Sequence, residues 1–154
     1  MKHKRLYRIA KKIDKLRKDN NPNRNKILKL LQDFNPKFIG AGRYKRSFKV
    51  ESNVKNLVFK VGRNLNEDFN HFLECKGKRK LKYAKIYWVT KNCLLQRFCS
   101  KGYDNKEYQE LRKEFKKAGY IDINKNNVGR INGKLHAFDI TYSKRKKPIS
   151  EKRN

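Results

Sequence analysis

Asp122, Asn127 and Asp139 stand in that order within "GYIDINKNNVGRINGKLHAFDIT", residues 119–141. An Asp, an Asn five positions on and a second Asp closing an apolar strand admit two readings. They are solvated loop residues around a β-hairpin, or the acid and metal-holding groups of a phosphoryl-transfer site. Upstream, Lys60 is embedded in "LVFKV", and a lysine in so apolar a strand needs an anionic partner if it is buried. Glu74 is placed to supply a charge that holds Lys60 extended toward a phosphate. Gly40 and Gly42, in "GAG", would let backbone N–H groups approach phosphates in a β-hairpin cradle. Each piece has an ordinary alternative: a glycine turn, a snorkelling edge-strand lysine, a solvated helix glutamate.

The elements that must position these groups are legible in the periodicity. Leu6, Ile9, Ile13 and Leu16 recur at helical spacing among Lys and Arg, which predicts a basic amphipathic helix over 2–17, and a second helix runs from about 25 to 34. "KFIGAG", "SFKVE" and "NLVFKV" then read as three antiparallel strands. Strand alternation puts Lys60 on the face of Val58, opposite Leu57, Phe59 and Val61. Phe69, Phe72 and Leu73 share one face of a short helix carrying Glu74, and "AKIYWV" and "CLLQRF" are two further strands. Asp104 caps the next helix, with Glu107 in capping-box position, Tyr108, Leu111, Phe115 and Ala118 as its buried stripe and Gly119 as its stop. "NG" at 132–133 predicts a two-residue hairpin turn. That turn pairs Ile131 with Lys134, Val128 with Ala137 and Asn127 with Phe138. Asn127 and Asp139 then reach the same open end, and sharing an ion requires the ladder to fray or bulge there.

Composition bounds the partners. Forty-three Lys and Arg against fourteen Asp and Glu give a formal charge of +29 on 154 residues, a self-repulsion that anions or an acidic partner must screen. Cys75, Cys93 and Cys99 show no paired spacing, which argues against a disulfide framework or a zinc site. No apolar run approaches the length of a membrane span and the first residues lack the apolar core of a secretion signal, so a cytoplasmic location without membrane attachment is expected. A length of 154 residues suits one domain with extensions: a basic helical extension over 1–35, a domain over 36–143 and a basic, disordered tail over 144–154.

Glycine hairpin, strand lysine, helix glutamate, two strands, helix, Asp-x-x-x-x-Asn, hairpin and Asp follow one another in an order that resembles the protein-kinase superfamily. More narrowly, "SFKVESNVKNLVFKVGR" followed by "IDINKNNVGRINGKLHAFDITYS" looks like the compact kinase-like proteins of tailed bacteriophages, including early serine/threonine kinases that serve host takeover. The resemblance implies an α+β, minimal kinase-like fold. Its parts would be a five-stranded antiparallel sheet with one helix, then a truncated second lobe of one helix and the catalytic hairpin, all preceded by two N-terminal helices. It implies ATP and Mg²⁺ as cofactors. Gly40 and Gly42 would cover the phosphates, Lys60 would bind them, Glu74 would orient Lys60, Asp122 would be the catalytic base, and Asn127 and Asp139 would hold the metal. Adenine would bond to backbone near Gln96, Arg97 and Phe98. The pattern departs at Lys45 in place of the third glycine, at Tyr120 and Ile121 before the first Asp, and at Ile140 and Thr141 after the last. Only fifteen residues follow Asp139, so a large substrate-gripping subdomain is not expected. The implied function is phosphoryl transfer to a hydroxyl of a host protein or of the chain itself, in the host cytoplasm if viral. The alternative is a catalytically inactive kinase-like module that binds nucleic acid or an acidic host protein through its basic surface.

Overall fold

A computed structural model of the chain describes residues 1–19, 22–42, 45–120 and 123–140. The fold is α+β, built from four α-helices, a five-stranded antiparallel sheet and a two-stranded hairpin. The described residues form two compact units, one within 1–70 and 85–98, the other within 71–84 and 99–140.

The first unit begins with α1 (Lys4–Asp19) and α2 (Arg24–Leu30), the latter capped by Asn23, whose side chain accepts from the Lys26 amide at 2.9 Å. A 3₁₀ turn, Gln32–Phe34, closes α2. Five strands follow: β1 (Lys37–Ala41), β2 (Lys45–Ser52), β3 (Lys55–Gly62), β4 (Ile86–Val89) and β5 (Cys93–Arg97). Their spatial order is β1-β2-β3-β5-β4, so β3 is central and β4 is an edge. Leu57, Phe59 and Val61 of β3, Phe48 and Val50 of β2, Cys93 and Leu95 of β5 and Trp88 of β4 share one face. They form a single buried cluster with Leu6, Ala10 and Ile13 of α1, Ile27 of α2 and its C-cap Leu31. Each large apolar side chain buried this way contributes about 1.5–3 kcal/mol. The N-terminal segment therefore covers one face of the sheet and supplies the smaller part of its core. Polar ties lock the packing: Asp14 accepts from the Thr90 hydroxyl at 3.1 Å and the Asn92 amide at 2.8 Å, and the Trp88 indole donates to the Lys2 carbonyl at 3.2 Å.

Helix α3 (Leu65–Glu74) crosses from the first unit into the second and ends in a π-type turn, Cys75–Arg79. The second unit is organised by α4 (Asn105–Lys117) and the hairpin of β6 (Val128–Ile131) and β7 (Lys134–Ala137), with α4 against β7. Asp104 caps α4 by accepting from the Glu107 amide at 2.8 Å. The helix stops in a Schellman arrangement: Gly119 adopts φ +100°, its amide donates to Lys116 at 3.0 Å, and the Tyr120 amide donates to Phe115 at 3.0 Å. The hairpin does not stand alone. Ala137 donates to Lys82 and Ala84 donates to Ala137 on one flank, while Ser100 and Arg130 exchange amide bonds of 3.0 and 2.8 Å on the other. Among the described residues no helix is long and apolar enough to cross a membrane.

Candidate functional site

Lys60 is only 6% exposed in the middle of the central strand, and its backbone pairs with Ser47 on one side and Leu94 on the other. Paired residues of antiparallel strands face the same way. Ser47, Lys49, Val58, Lys60, Leu94 and Gln96 consequently share the face opposite the helix-covered core, as the strand alternation predicts. Gln96, 1% exposed, sits beside Lys60 one strand over, in register with Val58. A buried ammonium and a buried carboxamide on one sheet face have polar chemistry that an apolar core does not ask for.

At the glycine hairpin, β1 and β2 slip register between Phe38 and Gly40, and the Gly42 amide donates to the Lys45 carbonyl at 2.7 Å to close the turn. A Cβ on Gly40 would meet nothing within 4 Å. Neither packing nor backbone conformation requires glycine there, so the space above it is open to an approaching group. Lys45, the residue that departs from the glycine pattern, pairs its ammonium with Asp68 of α3 at 2.7 Å, both side chains largely buried. This pair was not foreseen, because nothing in the spacing of two residues 23 apart signals it; it ties the glycine hairpin to the first turn of α3. Glu74 is exposed in the last turn of α3 and adds to the burial that pushes the neighbouring Cys75 thiol up to about 12. At the expected adenine segment, the amides of Arg97 and Phe98 donate to the carbonyls of Lys85 at 2.8 Å and Asn56 at 3.1 Å. A purine bonding to either amide must compete with these contacts.

In the second unit the hairpin register follows the expected one: Ile131 opposite Lys134 and Val128 opposite Ala137. Asn132 and Gly133 take φ +51° and +79°, the left-handed pair that a tight two-residue turn demands. The Phe138 amide donates to the Asn127 carbonyl at 2.9 Å, so Asn127 and Asp139 do reach the same open end. The regular ladder stops at Val128 and Ala137. Asn127 belongs to a 3₁₀ turn, Lys125–Asn127, and Asp139 lies beyond the strand, so strand alternation no longer forces them onto opposite faces. Asp122 and the expected tail lie outside the described residues.

A cavity of about 630 Å³ opens beside this end, lined by Tyr108 and Arg112 of α4 and by Asn124, Lys125, Asn126 and Asn127. Its shape is held by the Tyr108 hydroxyl, which donates to the Ile123 carbonyl at 2.5 Å, and by Asn124, which accepts from the Asn126 amide at 2.8 Å. Arg112 was not foreseen because it occupies an exposed position on a helix whose sequence reads as a solvated charged face. Among the described residues no cluster of three or more His, Cys, Asp or Glu side chains is present. A magnesium ion needs no such cluster: it binds through one or two carboxylates and keeps several waters, and Asp139 with the Asn127 amide oxygen offers hard oxygen donors of that kind.

No protein-family model matches this chain, and no curated protein matches it significantly.

Proposed function

We propose that the chain is a kinase-like phosphotransferase that uses ATP and magnesium to phosphorylate a protein hydroxyl, its own included. The hairpin register carries this reading: it brings Asn127 and Asp139 to one end of a ribbon, with Asp122 five residues before Asn127. The burial of Lys60 at the centre of a five-stranded sheet supports it, because a phosphate is one kind of anion that can accompany a buried ammonium. In this reading Lys60 neutralises phosphate charge and Glu74 orients it. Gly40 and Gly42 give the phosphates room, and Asn127 and Asp139 supply oxygen donors to the metal. Asp122 accepts the proton of the attacking hydroxyl. Magnesium, when bound, offsets the charge of the phosphates during transfer, and positioning with charge neutralisation is most of what phosphoryl transfer requires.

Thermal melting of the whole chain with magnesium and ATP tests it. A ligand at a hundredfold its dissociation constant stabilises by about 2.7 kcal/mol, which is readily seen as a raised Tm. Wild type should show that rise and should transfer radiolabel from ATP to protein. Lys60→Met and Asp139→Asn should lose both responses, and Asp122→Ala should keep the rise but lose the label. An unchanged wild-type Tm at millimolar nucleotide, or an equal rise in Asp139→Asn, defeats the reading.

A further inference from the structure

Helix α1 carries two faces with different fates. Its apolar face, Leu6, Ala10 and Ile13 with Tyr7 and Ile9, is spent on the core beneath the sheet. The opposite face is cationic. Lys4, Arg8, Lys11 and Lys15 recur at i, i+4, i+7 and i+11, which on a helix makes one straight row about 16 Å long. Arg5 and Lys12, one heptad apart, flank it, and all six side chains are exposed.

The acids near this row are few among the described residues. Asp14, on another side of the helix, is held by Thr90 and Asn92, and Asp33 takes only the flanking Arg5, at 3.3 Å. Just before the helix, burial first and then the charges of Lys55, Lys2 and Lys85 hold the His3 imidazole below its ordinary 6.5. Helix stability does not call for this arrangement, since cations in a first turn that lacks any acid oppose the helix dipole. Nor does a lysine-rich composition account for the segregation. Helix α4 also carries five cations, yet its exposed face interleaves Glu110 and Glu114 with Lys106, Lys113, Lys116 and Lys117.

We infer that the outer face of α1 is a docking surface for the phosphate backbone of a nucleic-acid duplex. A line of like charges on a convex rod matches a line of phosphates, whose neutralisation releases counterions. A lipid surface is disfavoured, because the apolar face that would insert is already buried in the protein. An acidic protein is disfavoured by the lack of apolar anchors on the row. A single strand asks for exposed aromatic platforms, and the large apolar side chains exposed in the first unit, among the described residues, are Met1, Ile39 and Val54.

The test compares two fourfold substitutions that lower the charge equally. One is Lys4→Gln, Arg8→Gln, Lys11→Gln and Lys15→Gln; the other is Lys106→Gln, Lys113→Gln, Lys116→Gln and Lys117→Gln. Binding to a DNA duplex of about 20 base pairs is followed by fluorescence anisotropy across a salt series. The α1 set should weaken binding by roughly thirtyfold or more at 0.1 M salt and reduce the salt slope by about 3.6, as expected for four lost phosphate contacts, while the α4 set changes affinity less than about threefold. In the wild-type chain, duplex should also protect Lys4, Lys11 and Lys15 from acetylation and leave Lys106 and Lys113 reactive, a readout that needs no variant to fold. Equal loss in both sets, tighter binding to a single strand of the same length, preferential binding to anionic vesicles, or no lysine protection would each overturn the inference. Asp139→Asn should leave duplex binding unchanged, which separates this surface from the phosphotransfer reading.

Discussion

Gly129 has no room for a methyl group. A Cβ there would lie 2.6 Å from the Ser100 carbonyl oxygen and 2.7 Å from the Cys99 Cβ, because β6 and the segment 99–100 approach as closely as bare backbones allow. Gly129→Ala should therefore force the strands apart and destabilise the protein by about 1–3 kcal/mol, read from the urea midpoint. Gly40 is the contrasting case. Open space where its Cβ would stand makes Gly40→Val neutral to folding within about 0.5 kcal/mol. If phosphates pass over this glycine, the same change should still weaken binding of ATP with magnesium. A fold-neutral variant that also binds nucleotide normally would remove Gly40 from the proposed site. Cys75 gives a third check at this scale. Its thiol is pushed up to about 12 by burial and by Glu74, and Cys93 and Cys99 are buried too. Native protein should resist a thiol-specific reagent in mildly alkaline buffer, and all three cysteines should react once denaturant is added.

One guanidinium ties helix α4 to the hairpin beyond their packing. Arg130 of β6 donates to both carboxylate oxygens of Glu107 and lies 4.0 Å from Asp104, the capping residue. The amide of Glu107, first, then the Glu107 side chain, and to a lesser degree the Arg130 charge hold the Asp104 carboxyl below its ordinary 3.8. The folded state thus favours the ionised cap. Its contribution is complete above the unfolded value and is lost as pH falls through the lower folded one. Asp104→Ala should lower Tm near neutral pH, and the gap to wild type should close as pH drops below 3.8. A gap that persists in acid would mean the cap acts through shape alone. These elements were legible beforehand for local reasons. A two-residue turn at Asn132 and Gly133 leaves one possible register, and Asp104 and Gly119 bracket α4 with chemistry confined to a few residues. Sheet order was not legible in the same way. β5 inserts between β3 and β4, and Lys45 finds Asp68, through contacts between residues distant in the chain that no local pattern encodes. For the same reason Lys60 was readable as a lysine in an apolar strand, whereas its burial depended on what covers both faces of the sheet.

Charge acts on the molecule as a whole. Forty-three cations face fourteen acids, and the described ion pairs consume few of them: Arg5 with Asp33 on the surface, Lys45 with Asp68 largely buried, and Arg130 with Glu107. Salt weakens attraction and repulsion alike, but the unmatched charges are far more numerous, and repulsion among them acts over a screening length of about 30 Å at 0.01 M and about 10 Å at 0.1 M. Raising sodium chloride from about 0.01 to about 0.5 M should therefore raise Tm. If exposed ion pairs held the fold together, Tm would fall instead. Acidification should act in the opposite direction through His3. Its ring packs edge-on against Tyr87 at 4.9 Å, its Nδ1 meets the Ser52 hydroxyl at 3.2 Å, and Lys2, Lys55 and Lys85 surround it. Because the folded state disfavours the charged ring, stability is complete above 6.5 and declines as pH falls through that value. The decline should be steepest at low salt, where the three lysines are least screened. His3→Phe keeps the ring against Tyr87 but cannot take up a proton, so it should flatten that part of the pH profile. Duplex phosphates beside Lys4, two residues from Lys2, should lessen this effect. A pH profile unaffected by salt, by duplex and by His3→Phe would show that the cations around the start of α1 do not act as one field.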